Sequence, residues 1–459
     1  MNQKAIRGFH LVRFGTAADQ KFLLGDFLGT YDQLVINANM VAHMTSALAS
    51  FLSVRAKKKP YFIDPQTHAF QHDISHLESN SEKKKGEIKR SIKKLIYAYG
   101  EPLTSCIEDD HRPILPDDFK NEALIKDFAQ RVIDFQMKML SDQVESSSDA
   151  KYYKYLNKKN GISTENIFSP TLLIAPYFYL TANTLDRWLP VNIKSASASK
   201  EITRKYNKPL GVQIVISLDV LLDKKLTEKL IDEYSRTNAD VFLIWIDSFL
   251  EQQASERELD LYVDFLEKLG RYGKVVNLYG GFFSVILGKC KIVKNLIGVT
   301  HSLEYGEVRG VIPVGGGIPI AKFYFPVLHT RLKFRDAIRS VRALGGQKSP
   351  HDFFEKICNC KVCKEIMKDD PEDNFEEYGK SKLIRVNNKP MEYPLSETKE
   401  RSVKHYMWCK RKEYKEKLIL KDILRELKES GRKLEKVIGL EDVAHSYVWT
   451  KVIQKKKKV

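Results

Sequence analysis

DVFLIWID, residues 240–247, holds six consecutive apolar residues closed by an aspartate. An unbroken apolar run suits a strand buried on both faces of a parallel sheet, whereas a half-exposed strand would alternate. Similar runs recur along the chain: QLVIN (33–37), PYFID (60–64), TLLIAPYFYL (171–180), VQIVISLD (212–219), VVNLYGG (275–281), LIGVTHSLEYG (296–306) and KFYFPVLH (322–329). Amphipathic stretches such as LTEKLIDEYSR (226–236) and ERELDLYVDFLEKLG (256–270) separate them. Eight such runs with helical crossovers predict an α/β fold, a (β/α)8 TIM barrel, with a doubly wound open sheet as the alternative.

The barrel is expected over residues 1–345. Within it, 81–160 is polar and partly helical and is expected to be a helical insertion, because a structureless loop of that length is unusual. QVESSSDAKYYKYLNKKNG (143–161) is expected to be its mobile exit. After 345 the strand pattern stops, and 346–459 forms a separate module: cysteine-rich, then acidic, then basic and helical.

A chain of 459 residues with 43% hydrophobic and 29% charged residues has the composition of a soluble globular protein. No apolar run reaches the roughly 18 residues of a membrane span, and no secretory h-region follows the N-terminus. Six cysteines in this length do not form a disulfide framework, so a cytoplasmic location with reduced thiols is expected. The formal charge is +17, and residues 401–459 hold 18 Lys+Arg against 8 Asp+Glu. So local an excess marks a polyanion partner, because cations that neutralise phosphates release counterions. The terminal KKKKV is expected to be a disordered tail.

Three of the apolar runs end in aspartate: Asp64, Asp219 and Asp247. A carboxylate at the end of a buried strand is costly unless paired or in use. Each could cap a following helix; together they point to a shared carboxylate site suited to chemistry at a sugar's anomeric carbon. Just after Asp64, His68, His72 and His76 follow at intervals of four, which on a helix would place them on one face, with Asp73 adjacent. A metal site or a substrate contact there is the sharper reading, and a plain polar face the blander one. LYGGFF (278–283), with Tyr279, Gly280 and Gly281, would let a flat ligand approach the backbone. His301 and Glu304 on the 296–306 run are further candidates for substrate contact. VGGGIP (314–319) lacks the Gly-Lys-Ser/Thr of a P-loop.

Cys358, Cys360 and Cys363 form Cys-x-Cys-x-x-Cys, and KHYMWCKRKEY downstream offers His405 and Cys409 at the start of a basic helix. Such spacing suits a structural Zn²⁺ with His405 as fourth ligand, a closed shell with no open position.

A barrel followed by this cysteine–histidine pattern resembles the tRNA-guanine transglycosylases, and more closely the DpdA-type DNA-guanine transglycosylases that place 7-deazaguanines into DNA. IDPQTHAF is similar to their aspartate-bearing first-strand motif, so Asp64 would match that aspartate; LYGGF is similar to their base-binding strand. AKFYFPVLHTRL lacks the aspartate that tRNA enzymes carry on the last barrel strand, and the 41 residues between Cys363 and His405 exceed the tRNA pattern. Both departures favour the DNA branch.

The resemblance implies exchange of guanine in DNA, flipped or single-stranded, for a free 7-deazaguanine such as 7-cyano-7-deazaguanine. Asp247 would be the nucleophile, Asp219 the reserve, and Asp64 the acid/base or orienting group. It also implies one structural zinc per chain, a bacterial or phage-encoded protein of the bacterial cytoplasm, and companion proteins of a DNA-modification system. A tRNA-directed enzyme, a metal-dependent barrel hydrolase using the 68–76 histidines with Asp64, and a non-catalytic zinc-bearing nucleic-acid-binding protein are the rival readings.

Overall fold

A computed structural model describes residues 5–56, 59–79, 81, 84–146, 155, 159, 169–303, 306–312, 321–386 and 389–457. The chain divides into two compact units, the first comprising 1–249, 261–279 and 293–313, the second 250–260, 280–292 and 314–459.

The first unit is built on eight parallel strands: β1 (His10–Phe14), β2 (Gln33–Asn37), β3 (Tyr61–Asp64), β4 (Leu173–Ile174), β5 (Leu210–Ile216), β6 (Val241–Ile246), β7 (Lys274–Asn277) and β8 (Leu296–Ser302). Their spatial order, β3-β2-β1-β8-β7-β6-β5-β4, is the cyclic order of a barrel with its seam between β3 and β4. Thr171, just before β4, spans that seam by donating its N–H to Tyr61 O at 2.9 Å. The result is a nearly closed eight-stranded parallel barrel. Its interior is filled by alternate strand residues such as Leu11, Val35, Phe62, Ile174, Val215, Leu243 and Val276, as the two-residue strand period dictates.

Seven of the eight expected runs supply barrel strands, and the count is completed from the other end of the sequence. HLVRF (10–14) is β1, buried throughout although it carries His10 and Arg13. KFYFPVLH, expected as the last barrel strand, is instead the start of an antiparallel hairpin in the second unit, β9 (Lys322–Phe325) with β10 (Thr330–Lys333). Pro326 follows β9 directly, where its missing N–H cannot continue a ladder. Asp64 therefore closes the third strand and not the first.

The interval 81–160 is part of the β3-to-β4 connection. Its helix Glu122–Ser146 packs Ala129 and Ile133 on Leu173 and Ile202. Gln136 holds the two-residue β4, donating to Ile174 O and accepting from Ile174 N, both at 2.8 Å. A parallel sheet needs such a crossover, so the polar stretch serves the barrel itself. Most of 143–161 lies outside the described residues.

In the second unit one core joins Phe323, Tyr324, Leu328, Val341, Phe353, Ile357, Phe375, Tyr406 and Leu434. The boundary therefore falls at 314, not 346: the apolar side chains of the 322–333 hairpin are buried in this core. A second hairpin (Ser381–Val386, Lys389–Pro394) and the helices Ser396–Lys415, Leu420–Ile438 and Leu440–Lys457 complete the unit. Lys455, Lys456 and Lys457 belong to the last helix, and Lys455 and Lys456 pair with Asp260, so this basic end is folded rather than a tail. Among the described residues no helix is long and apolar enough to cross a membrane.

Candidate active site and metal centre

In a parallel barrel all strands end on one side, and the polar residues at those ends meet. Here β1, β2 and β3 bring Arg13, Asn37 and Asp64 together. Arg13 Nη1 donates to Asp64 Oδ2 at 2.8 Å and to Asn37 Oδ1. Tyr177 Oη donates to Asp64 Oδ1 at 2.6 Å, and the Gln66 N–H at 3.1 Å. Burial alone would raise the Asp64 carboxyl; the Arg13 charge, His68 and these hydrogen bonds outweigh it and hold Asp64 below its ordinary range.

The loop after β3 is laced to the extended segment after β4. Thr67 Oγ1 donates to Tyr177 O (2.6 Å) and accepts from Tyr177 N (2.8 Å). Gln71 repeats the pattern with Tyr179, at 3.0 and 2.6 Å. These side chains stand in for a sheet ladder where β3 and β4 have ended, and they position His68 and His72. His68 is stacked on Tyr177 (centroids 5.2 Å) and lies edge-on to Trp245 (5.3 Å). Burial pushes His68 down to about 3 and His72 down to about 4, so both imidazoles are neutral at pH 7.

These groups surround a cavity of about 200 Å³ lined by Arg13, Gln66, His68, His72, His76, Lys89, Trp245, Tyr279, Arg309 and Val311, among others. The two carboxylates stand just behind that lining. Asp64 lies behind Arg13 and His68. Asp247, half-buried after β6, accepts from Tyr179 Oη (2.8 Å), Ser248 Oγ (2.9 Å) and Val311 N (2.9 Å). Trp245 and Tyr279 meet at 4.9 Å, and Arg13 lies 5.0 Å over the Tyr279 ring. The cavity thus combines flat aromatic walls with cationic side chains, Arg13, Lys89 and Arg309, and has the two carboxylates behind its lining.

The other candidates fall elsewhere. Asp219 is exposed in the first turn of the short helix Leu218–Leu222, where it accepts from Ser217 Oγ, Val220 N and Ala182 N. β5 ends at Ile216, before reaching it. His301 is fully buried in β8 with its Nε2 2.7 Å from His10 Nε2, on the outer face of the strands opposite to the one that Leu11 presents to the interior, and not on the cavity. Gly280 and Gly281 lie in the second unit, where Gly281 N–H donates to Glu251 at 2.9 Å. Glu304 and VGGGIP lie outside the described residues. His68 and His76 lie in two separate 3₁₀ turns, with His72 in extended backbone between them, so the three do not share one helix face. Among the described residues the metal-type clustering of His, Cys, Asp and Glu is confined to another place.

That place is Cys358, Cys360, Cys363 and His405, whose ligand atoms all lie within 4.8 Å of one another. His405 Nδ1 is 3.9, 3.3 and 3.3 Å from the three sulfurs in turn. Tetrahedral ligation at Zn–S about 2.3 Å and Zn–N about 2.0 Å requires S···N edges of roughly 3.5 Å, so the set fits a tetrahedral ion. His405 Nε2 is 2.7 Å from Tyr324 O, which fixes the tautomer that turns the Nδ1 lone pair towards the thiols. The ring stacks on Phe323 at 4.2 Å. His405 lies well inside the helix Ser396–Lys415, not at its start, and one turn on Cys409 approaches Cys358 at 3.7 Å. Burial raises the Cys363 thiol, while hydrogen bonds from Cys358, Cys363 and Cys409 pull Cys360 far down. The cluster can hold a metal ion.

Cations of the 401–457 segment are partly neutralised within the second unit, as in Lys404–Glu400, Lys410–Glu413 and Lys451–Glu256. Along Leu420–Ile438, Lys421, Arg425, Lys428, Arg432 and Lys436 recur at intervals of three and four and form a stripe on the side opposite buried Ile423, Leu427 and Leu434, within which Arg425 pairs with Asp422 at 3.1 Å.

Arg13, Tyr177, Tyr179, Trp245 and Arg309 were not expected as site residues. Arg13 sits on the strand that sequence reading missed; the Tyr-x-Tyr after Pro176 is the pattern that could have flagged 177 and 179. No family model and no curated protein matches the chain.

Proposed function

We propose that the chain is a base-exchanging glycosyltransferase of the transglycosylase type, a (β/α)8 barrel that replaces guanine in DNA with a 7-deazaguanine. What carries the reading is the mouth of the barrel: one small aromatic-walled cavity, of a size suited to a free base, whose lining residues Arg13 and Val311 are hydrogen-bonded to two carboxylates just behind them, Asp64 and Asp247.

In this reading Asp247, half-buried and oriented by Tyr179 and Val311, attacks C1′ of the target nucleoside. The C1′–N9 bond breaks and a glycosyl ester forms. The departing guanine takes up one proton, and the incoming base gives up one at N9 as it displaces the carboxylate, so the exchange is redox-neutral and proton-neutral overall. Asp64, held ionised, is unsuited to donate a proton; it orients Arg13 and stabilises positive charge at the anomeric centre. The target base leaves the stack to reach such a cavity. The cationic stripe on Leu420–Ile438 contacts the phosphate backbone. Zinc in the Cys3His cluster is structural, because four protein ligands leave no open position.

The test is incubation of the protein with labelled 7-deazaguanine and duplex DNA, single-stranded DNA or tRNA. Label in DNA is expected. Label in tRNA alone would reassign the substrate, and label in neither, with hydrolysis of the nucleic acid instead, would sink the reading.

A further inference from the structure

Arg13 uses only part of its guanidinium within the protein. Nη1 serves both Asn37 and Asp64, whereas Nε and Nη2 have no hydrogen-bond partner although the side chain is about 1% exposed. Those two nitrogens carry the parallel N–H pair of the guanidinium's side-on fork, the geometry that grips two adjacent acceptors or one carbonyl oxygen. Buried donors without a partner are costly, so a group left in that state calls for an explanation, of which a ligand that completes it is one. Four more buried polar atoms without a partner belong to the same lining, Asn39 Oδ1, His68 Nδ1, His72 Nε2 and Tyr279 Oη.

We infer that the Nε/Nη2 fork of Arg13 is the specificity-determining element of the cavity and selects a planar base with a 6-oxo group. One N–H is donated to O6 and the other to O6 or to N7 where the base has one. A 6-amino base would set N–H against N–H and leave the fork unsatisfied in a buried site, a loss that cavity shape cannot offset. The surroundings favour a base over a phosphate: the Tyr279 ring lies under the guanidinium, and Trp245 and His68 supply further flat faces. Asp64 holds Nη1 and so keeps the fork's free edge in one orientation. This rests on the reading of the cavity as a base site.

The test uses the full chain and two probes that differ at the C6/N1 edge, 9-methylguanine and 9-methyl-2,6-diaminopurine, in equilibrium binding without DNA. The wild type is expected to prefer the 6-oxo base by about tenfold or more. Arg13→Gln, whose amide can accept as well as donate, is expected to bring the ratio close to one. If that variant does not fold, the wild-type ratio decides alone. A wild-type ratio near one would overturn the inference, as would binding of neither base or displacement of 9-methylguanine by inorganic phosphate. A protein that transfers label into DNA with a ratio near one would lose this inference alone. One that discriminates but never transfers would lose only the transfer reading.

Discussion

Arg13 at the end of β1 reaches past β2 to Asp64 at the end of β3, Nη1 to Oδ2 at 2.8 Å, with both side chains about 1% exposed. The pair ties the first strands of the barrel together at the mouth. Removing one partner leaves a buried charge uncompensated, so Arg13→Gln or Asp64→Asn should each destabilise the protein by about 3–5 kcal/mol. The double variant should recover part of that loss in a denaturant-unfolding cycle; strictly additive losses would show that the pair is not coupled.

Stability should fall on acidification in two windows. His68, His72 and His445 are all pushed down by burial, to about 3, 4 and 4. Below about pH 6.5 the unfolded chain binds protons that these folded imidazoles refuse, so stability declines from there towards pH 4. Asp64, lowered in the folded state, adds a second loss only below its unfolded value near 3.8. His445→Asn should flatten the upper window in urea titrations at stepped pH, and an unchanged slope would contradict the assignment.

Metal analysis of the purified protein should find about one zinc per chain. Cys363→Ser and His405→Gln should each reduce it several-fold and lower the melting temperature, because metal ligation is linked to folding of the unit that holds it. Cys106→Ser, remote in sequence and buried on its own account, should leave the metal content unchanged.

Asp247→Asn should abolish label entry into DNA, by about a thousandfold or more, roughly 4 kcal/mol of barrier, with little change in melting temperature. Asp219→Asn should have no effect on transfer, as expected of an exposed residue in the first turn of a short helix. The opposite ranking in a time-course of incorporation would exchange their roles.

Neutralising Lys421, Arg432 and Lys436 to Gln together should weaken DNA binding and make the dependence of log K on log salt less steep, by about 0.9 per lost phosphate contact. Base preference in the cavity should not change. Binding measured from low to moderate salt separates the two effects.

The eight-stranded parallel architecture and the Cys3His cluster were legible in the linear chain, because both are local patterns. DVFLIWID and VQIVISL are apolar without alternation, and three cysteines lie within six residues. Which runs join the barrel was not local. HLVRF carries a histidine and an arginine that look wrong for a buried strand until β3 supplies Asp64 and β8 supplies His301. KFYFPVLH looks right for one, yet Pro326 and the core of the second unit turn it into a hairpin. The aspartates were visible as residue types, but not their different states: Asp64 sealed between Arg13 and Tyr177, Asp247 half-buried beside Tyr179, Asp219 out in solvent. Hydrophobic periodicity reports what one segment buries. Whether a buried charge has a partner depends on contacts 51 and 113 residues away in the chain, and tertiary structure alone brings those together.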